Sequence, residues 1–333
     1  MVWDESESGY TFLTEKRIIT HNPSIMPKLH LLSLADRHVI NDFLTQHPPL
    51  ISELTFTNLF VWRNSRPVWF ARLDNSLLFF LKAGGDDDRF IILGQPVGDI
   101  LLSEVFAHFG NRLAGAIRLS ENAVQTLQQD GSLVIDDRDN ADYVYRVADL
   151  AELTGRKYAK KRNKIKQCLQ NYSCQYEPIT QTNLVECMEM QVRWCEAREC
   201  GHLPGLCSEN MAIDELFENF RKLDGLIGGA IRVNGTIQAY AIGEILHPGT
   251  AVCHFEKAMP TIPGLGQLIN QWYARYGLQQ FEFINREQDL GIPGLRQAKE
   301  SYFPHHLVKK YTVFRDKPFE QEPARTGRCA SEE

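Results

Sequence analysis

Between residues 156 and 166 the chain sets seven basic side chains: Arg156, Lys157, Lys160, Lys161, Arg162, Lys164 and Lys166. Cations at that density suit a phosphate-bearing partner, whether a tRNA backbone, a CoA-like donor or an anionic headgroup. They also suit the solvated face of a helix over 156–169, with Tyr158, Ile165 and Leu169 as its apolar seam. No series of stacking aromatics accompanies them, so reading of bases is not indicated. A second pattern is Ile262-Pro263-Gly264-Leu265-Gly266-Gln267, between a strand-like run at 250–258 and a helical run at 266–276. A glycine turn there leaves free N–H groups at a helix start, where an anion can sit. A plain turn with Pro near the first helical position would look the same. A third pattern is Asn285-Arg286-Glu287-Gln288-Asp289, with both charge signs beside a helix start. Arg286 would meet a carboxylate or phosphate, and Glu287 or Asp289 an ammonium. Loop solvation and capping by Asp289 form the structural alternative. Arg296 and Lys299, one turn apart on the next helix, would extend an anion site.

These groups need elements to hold them, and the second half supplies a full set. A strand at 174–179, helices at 182–199 and 208–223, and strands at 226–233 and 236–246 around Asn234-Gly235 are predicted. Then come the strand at 250–258, the helix at 266–276, a strand at 280–285, a helix at 293–302 and a closing strand at 306–314. The order is β-α-α-β-β-β-α-β-α-β. The first half ends similarly. Strand or short helix is expected at 55–62 and 67–73, strands at 76–82 and 89–94, a turn at Gln95-Pro96-Val97-Gly98, then a helix at 100–109. A strand at 115–119, a helix at 121–129 and strand material over 132–147 follow. The echo predicts an internal duplication. The expected domains are 28–150 and 151–315, with an extension at 1–27 and a tail at 316–333.

Composition excludes several classes. With 43% hydrophobic and 23% charged residues, the 333-residue chain is expected to fold. No apolar run approaches the roughly 18 residues of a membrane helix. The acidic, polar start carries no secretory signal pattern. All eight cysteines lie beyond residue 167 without paired spacing, which suits a reduced, cytoplasmic chain. Cys195, Cys200, His202 and Cys207 lack a CxxC pair, so no metal site is expected. The net charge of −6 is uneven: residues 1–150 carry −7 and residues 151–333 carry +1. Tyr143, Tyr145, Trp194 and Trp272 read as packing residues and His254 as a core histidine.

The element order of the second half resembles the GNAT acetyltransferase fold, in which a glycine turn after the fourth strand cradles the acyl donor. Three stretches narrow the likeness. They are Tyr143-Val144-Tyr145-Arg146 with Leu150 and Leu153, then Gly155-Arg156-Lys157-Tyr158-Ala159-Lys160-Lys161-Arg162-Asn163, and Asn285 through Arg296 with Gly291-Ile292-Pro293-Gly294-Leu295. Together they resemble the soluble domain of the phosphatidylglycerol lysyltransferase family, DUF2156, over roughly residues 30–315. The resemblance implies an α+β fold of tandem acyl-CoA N-acyltransferase (GNAT-like) domains, with mixed sheets flanked by helices. It implies transfer of an acyl or aminoacyl group from an activated donor, aminoacyl-tRNA or acyl-CoA, to an amine or hydroxyl. Donor binding would fall to Arg156, Lys157, Lys160, Lys161, Arg162, Gly264, Gly266 and Gln267. Substrate binding would fall to Asn285, Arg286, Glu287, Arg296 and Lys299.

For the chemistry, the resemblance implies Glu256 and Lys257 at the strand edge facing the reacting carbonyl, as proton acceptor and charge partner. Asp289 would assist, and Tyr302 matches a late-helix tyrosine that serves as general acid, although core packing suits it too. No permanently bound cofactor is expected. The family's long membrane region is lacking, so membrane contact would be peripheral. Two further readings stand beside this one. A CoA-dependent N-acetyltransferase differs in donor only, and a non-catalytic module would hold RNA or anionic lipid through the basic face.

Overall fold

The structure, a computed structural model, describes residues 27–84, 86–125, 127, 132–200, 203–315 and 318–321. Nearly all of the expected extension, most of the expected tail, His202 and Cys329 lie outside the described residues.

The chain begins with β1 (His30–Leu31), α1 (Arg37–Gln46) and α2 (Phe56–Val61). The Thr55 hydroxyl caps α2 by accepting from the Asn58 amide, and all six helical residues are buried. Next come β2 (Trp69–Leu73), β3 (Ser76–Gly84), β4 (Asp86–Leu93), α3 (Leu102–Phe109), β5 (Leu113–Leu119), α4 (Glu121–Gln125) and β6 (Leu133–Asp136). β3 reads as an unbroken apolar run because both of its faces are covered. A short 3₁₀ turn at Arg138–Asn140 splits the expected strand material, and β7 (Asp142–Arg146) follows.

The remaining elements are α5 (Val147–Glu152), α6 (Ala159–Asn171), β8 (Cys174–Pro178), α7 (Leu184–Ala197) and α8 (Pro204–Glu218), then β9 (Ile227–Val233), β10 (Thr236–His247) and β11 (Thr250–Ala258). Asn234 and Gly235, at φ +50° and +91°, make the β9–β10 turn, where both central residues must be left-handed. Last come α9 (Leu265–Trp272), β12 (Phe283–Asn285), α10 (Pro293–Glu300), β13 (His306–Val308), β14 (Tyr311–Phe314) and β15 (Glu320–Gln321).

The strands form two sheets of one plan. The first runs β1-β2-β3-β4-β5-β14-β6, with β15 on β3; the second runs β8-β9-β10-β11-β12-β7-β13. In each path the fourth and fifth strands are parallel and every other neighbour is antiparallel. The duplication is therefore a matter of topology. It also corrects the expected boundary near residue 150, because each half gives the other its sixth strand. β7 lies in the second sheet and β14 in the first. The single closing strand expected at 306–314 is likewise two strands in different sheets.

Lys310, at this crossover, is fully buried. Its ammonium donates to Glu53 Oε2 and Asp142 Oδ1, each at 2.6 Å. Arg118 Nε lies 3.1 Å from Glu53 Oε1. A buried cation is tolerable only when paired in this way. The crossing is stitched by charge as well as by strand pairing.

The core is shared too. One apolar cluster joins Ile40, Phe56 and Leu77 of the first half to Ile213, Phe217, Tyr240, Ile242 and Phe255 of the second. A second cluster packs α5, α6 and α9 on the other face of the second sheet. A third packs α3 on the first sheet.

Candidate functional site

β11 and β12 pair in parallel only where Thr250–Val252 meets Phe283–Asn285. Beyond that point β11 continues to Ala258 along β10, while the chain after Asn285 turns away. A wedge opens between the two strands. β11 also carries a bulge: Gly243 faces Cys253 and Ile242 faces Phe255, leaving His254 as the extra residue. Past the bulge, Glu256 points to the α9 side and Lys257 to the α7 side.

Glu256 and Arg286 span the wedge, with Arg286 Nη2 at 3.1 and 3.2 Å from the two carboxylate oxygens. Asn270 Nδ2, from the buried face of α9, donates to Glu256 Oε2 at 3.1 Å. The Arg286 guanidinium lies 5.2 Å from the Tyr302 ring centroid and 5.6 Å from that of Tyr145. Lys161 Nζ sits 3.8 Å from the Tyr302 ring centroid and donates to Ser301 Oγ at 2.5 Å. Lys299 Nζ donates to the backbone carbonyl oxygen of Arg286 and, at 3.4 Å, to that of Glu287. Burial, and then the Arg286 charge, lower both Lys161 and Lys299 to about 8. Burial raises the Tyr302 hydroxyl despite Arg286. Arg286 and Lys161 thus crowd the Tyr302 ring, Lys299 lies 5.8 Å from the Tyr143 ring centroid, and among the described residues Glu256 is the carboxylate that ion-pairs with Arg286.

Two buried polar atoms beside Glu256 have no partner: Arg286 Nη1 and Asn270 Oδ1. Buried polar groups are normally satisfied, so this pair marks a place built for something else. A donor and an acceptor stand free on either side of a carboxylate.

His254 adds a second layer. Its Nε2 is 2.9 Å from Glu244 Oε1 and its Nδ1 is 2.9 Å from Glu287 Oε1. Burial works against its charge, but the two carboxylates outweigh that and hold it up at about 9. Thr57 and Asn58 of α2 donate to Glu244 and Glu287, so the first half braces the site of the second. Burial raises the Glu287 carboxyl against the pull of His254. Glu287 also holds a left-handed backbone at φ +56°.

The expected site residues divide into three groups. Glu256, Arg286, Lys299, Tyr302 and Lys161 meet at the wedge. The tips of Arg156, Lys157 and Lys160 are exposed beside it, with Lys157 Nζ 5.0 Å from the Phe303 ring centroid. The rest are held by the fold. Lys257 pairs with Glu209 at 2.6 Å and lies over Trp194, on the opposite sheet face from Glu256. Successive strand residues point opposite ways, so the two cannot serve one site. The Asp289 carboxylate is fully buried and receives bonds from Tyr143, Arg138, Arg296 and the Gly291 amide. These donors outweigh burial and hold its pKa far below the ordinary range. It clamps the loop. Arg296 is occupied by Asp139 and Asp289. Asn285 is fully buried, donates to Asp142 and accepts from the Glu287 amide. Arg162 caps the carbonyls of Leu153 and Gly155.

Gly264 has φ +88°, and a Cβ there would fall on the Lys164 carbonyl oxygen. Its role is to let α6 pack against the start of α9. The amides of Gly266 and Gln267 occupy the first turn of α9, where an α-helix leaves donors free.

Sequence reading missed Asn270 and the Glu244–His254–Glu287 bridge. A polar residue on the buried stripe of LGQLINQW was the one available signal for Asn270. The bridge depends on a bulge and a loop that no spacing rule announces. Two hollows of about 370 Å³ lie elsewhere, one lined by Arg118, Asp137 and Thr312, the other by Leu44, Phe56 and His247. Neither is lined by Glu256 or Arg286.

The family model described as phosphatidylglycerol lysyltransferase, C-terminal, matches residues 46–314. Among solved structures, a conserved protein of unknown function from Bacteroides thetaiotaomicron is 32% identical, covering 87% of this chain and 99% of its own, with a TM-score of 0.79. A DUF2156 C-terminal domain from Agrobacterium fabrum is 14% identical over 85% of this chain and 92% of its own, with a TM-score of 0.60. L-PGS from Bacillus licheniformis is 16% identical over 85% and 93%, with a TM-score of 0.59. At those identities the last two speak to the fold alone. No curated protein matches the chain. Among the described residues no helix is long and apolar enough to cross a membrane.

Proposed function

The chain belongs to the phosphatidylglycerol lysyltransferase C-terminal family, and on that premise we propose that it transfers an aminoacyl group from aminoacyl-tRNA to an amine or hydroxyl at the wedge between β11 and β12. The observation that carries this reading is the pair of unpartnered atoms, Arg286 Nη1 and Asn270 Oδ1, flanking Glu256 among three cations. Glu256 and Asn270 Oδ1 would accept from an ammonium. Arg286 Nη1 would donate to the reacting carbonyl oxygen as it gains charge.

In the reaction, the acceptor's lone pair forms a bond to the aminoacyl carbonyl carbon, and Glu256 accepts the proton that the acceptor gives up. The ester C–O bond to the ribose then breaks, and its electron pair and a proton go to the leaving hydroxyl. The tRNA phosphates would lie along the exposed basic face of α6, toward the free first-turn amides of α9. Much of the gain would come from placing the reactants together.

The test is donor binding and transfer with Arg286→Ala and Lys161→Ala. Binding at least about tenfold weaker, with loss of transfer, is expected for each. Unchanged binding of every donor would remove the cluster from the mechanism. The first-turn amides equally suit the pyrophosphate of an acyl-CoA. Stabilisation of the protein by CoA alone, by mass action, would favour that donor.

A further inference from the structure

We propose that Lys161 is a modification site: its side-chain nitrogen takes an acyl group from a small acyl phosphate, and the resulting amide shuts the wedge. The shutting rests on the transfer reading; the modification does not. Lys161 is placed unlike the other lysines of its run. It is half-buried in the first turn of α6, whereas Lys157, Lys160, Lys164 and Lys166 are exposed. Its Nζ stands 3.8 Å from the Tyr302 ring centroid and donates to Ser301 Oγ at 2.5 Å. No carboxylate pairs with it among the described residues. Arg286 lies against the same ring, and Lys164 follows one turn along α6. A cation in the first turn of a helix also opposes the helix dipole. Burial, then Arg286, then Lys164 work against the charge of Lys161 and hold it down at about 8.

An amine attacks carbonyl carbon only when uncharged, and burial beside another cation supplies such a lysine near neutral pH. The hydrogen bonds leave its lone pair free. Ser301 Oγ gives its own proton to the Ala298 carbonyl oxygen at 2.6 Å, so it accepts from Lys161 and has no proton to offer back. Lys299 is held down at about 8 as well, but it is spent on the backbone carbonyls of Arg286 and Glu287. The unpartnered Arg286 Nη1 is a donor for a carbonyl oxygen as it gains charge. With Lys161 neutral, Arg286 and Lys299 still outnumber Glu256, which favours an anionic acyl donor. An acyl phosphate dianion has that charge. Lys161 Nζ forms a bond to the acyl carbon, and the C–O bond to the phosphate breaks with its electron pair going to oxygen. The amine proton leaves with the phosphate as hydrogenphosphate dianion, so no further reactant is needed. The amide product is neutral, which removes the charge that burial and Arg286 opposed. Its carbonyl oxygen would give Arg286 Nη1 an acceptor and so fill the place of a reacting carbonyl.

The test is acetyl phosphate added to the full chain at about pH 7.5, with acetylation mapped by peptide mass spectrometry. A fall from 10.5 to about 8 raises the neutral share of an amine roughly 200-fold at that pH, and weaker basicity gives back only part of the gain. Lys161 is therefore expected to react at least about tenfold faster than exposed Lys157, Lys160 or Lys164. Its rate should level off above about pH 8, while Nα-acetyllysine in the same solution keeps climbing past about pH 10. Arg286→Gln should slow Lys161 at least about fivefold and leave the exposed lysines unchanged. The ranking and the pH profile need no variant, so they decide the matter even where Arg286→Gln does not fold. Transfer should fall in step with the occupancy of Lys161. Equal acetylation of the four lysines, a Lys161 rate that never levels, or labelling by acetyl-CoA in place of acetyl phosphate would overturn the proposal. Transfer undiminished at full Lys161 occupancy would overturn the shutting. An unmodified Lys161 in a protein that transfers sinks the modification and leaves the transfer reading standing. A modified Lys161 in a protein that transfers from no donor does the opposite.

Discussion

At the scale of the residue, the site is defined by what is left unsatisfied. Arg286 is largely covered, half used by Glu256 and stacked near two tyrosines, and its buried Nη1 remains free. Arg286→Lys keeps a charge but offers no second fixed nitrogen. Transfer by this variant is expected to fall about 100-fold, while Tm changes far less than for Arg286→Ala, which strands Glu256. Comparison of kcat/KM and melting curves checks both.

His254 has a pH signature. Its folded pKa is raised from 6.5 to about 9, so the native state holds the proton more tightly than the unfolded chain. The stabilisation is complete below about pH 6.5 and is lost as pH rises through about 9, with a ceiling of roughly 3 kcal/mol. His254→Gln should flatten the stability profile between those limits, as read by urea titrations. Glu256 and Arg286 were legible because polar residues on strand ends and after strands stand out, and Lys299 because it lies one turn from Arg296 on α10. Asp289 and Arg296 stood out equally and turned out to hold each other. Residue type does not say whether a charge faces a ligand or a neighbour.

At the scale of the element, the basic start of α6 works against its own helix. Cations at an N-terminus oppose the macrodipole, and Lys160, Lys161 and Arg162 all sit in the first turn. Lys160→Gln is therefore expected to leave Tm unchanged or slightly higher while weakening donor binding and lowering its salt slope by about one. Measuring both on one preparation separates a functional charge from a solvated one. Gly264 belongs to this scale as well. Gly264→Ala meets the Lys164 carbonyl and a positive φ together, and should cost about 2 kcal/mol or more by pushing α6 off α9. Most helices and strands were legible because their periodicity reports burial. The seam of α6 was misread by one position: Cys168 is buried there and Leu169 is 43% exposed. The β11 bulge, which shifts the strand's facing, was invisible, since an extra residue changes no composition.

At the scale of the whole molecule, the halves are cross-linked by strand exchange. A fragment of residues 28–150 lacks β14, the strand between β5 and β6, and keeps a β7 that belongs elsewhere. It should not fold alone, and circular dichroism of the fragment checks this. Lys310→Met removes the shared partner of Glu53 and Asp142 and should cost about 3–5 kcal/mol. Lys310 and Arg118 outweigh burial and hold Glu53 below its ordinary pKa. Its contribution is present above about pH 4.5 and fades as pH falls, so the gap between variant and wild type should narrow in acid. The sequence by itself determined most of the element order, the duplication and the family, because periodicity, turn chemistry and long motifs are local properties. Only the tertiary structure decided which half owns each strand, which charges are spent on one another and which polar atoms beside Glu256 remain free. Those are outcomes of contact between distant segments, and pairing energies there depend on burial and distance, which no local pattern encodes.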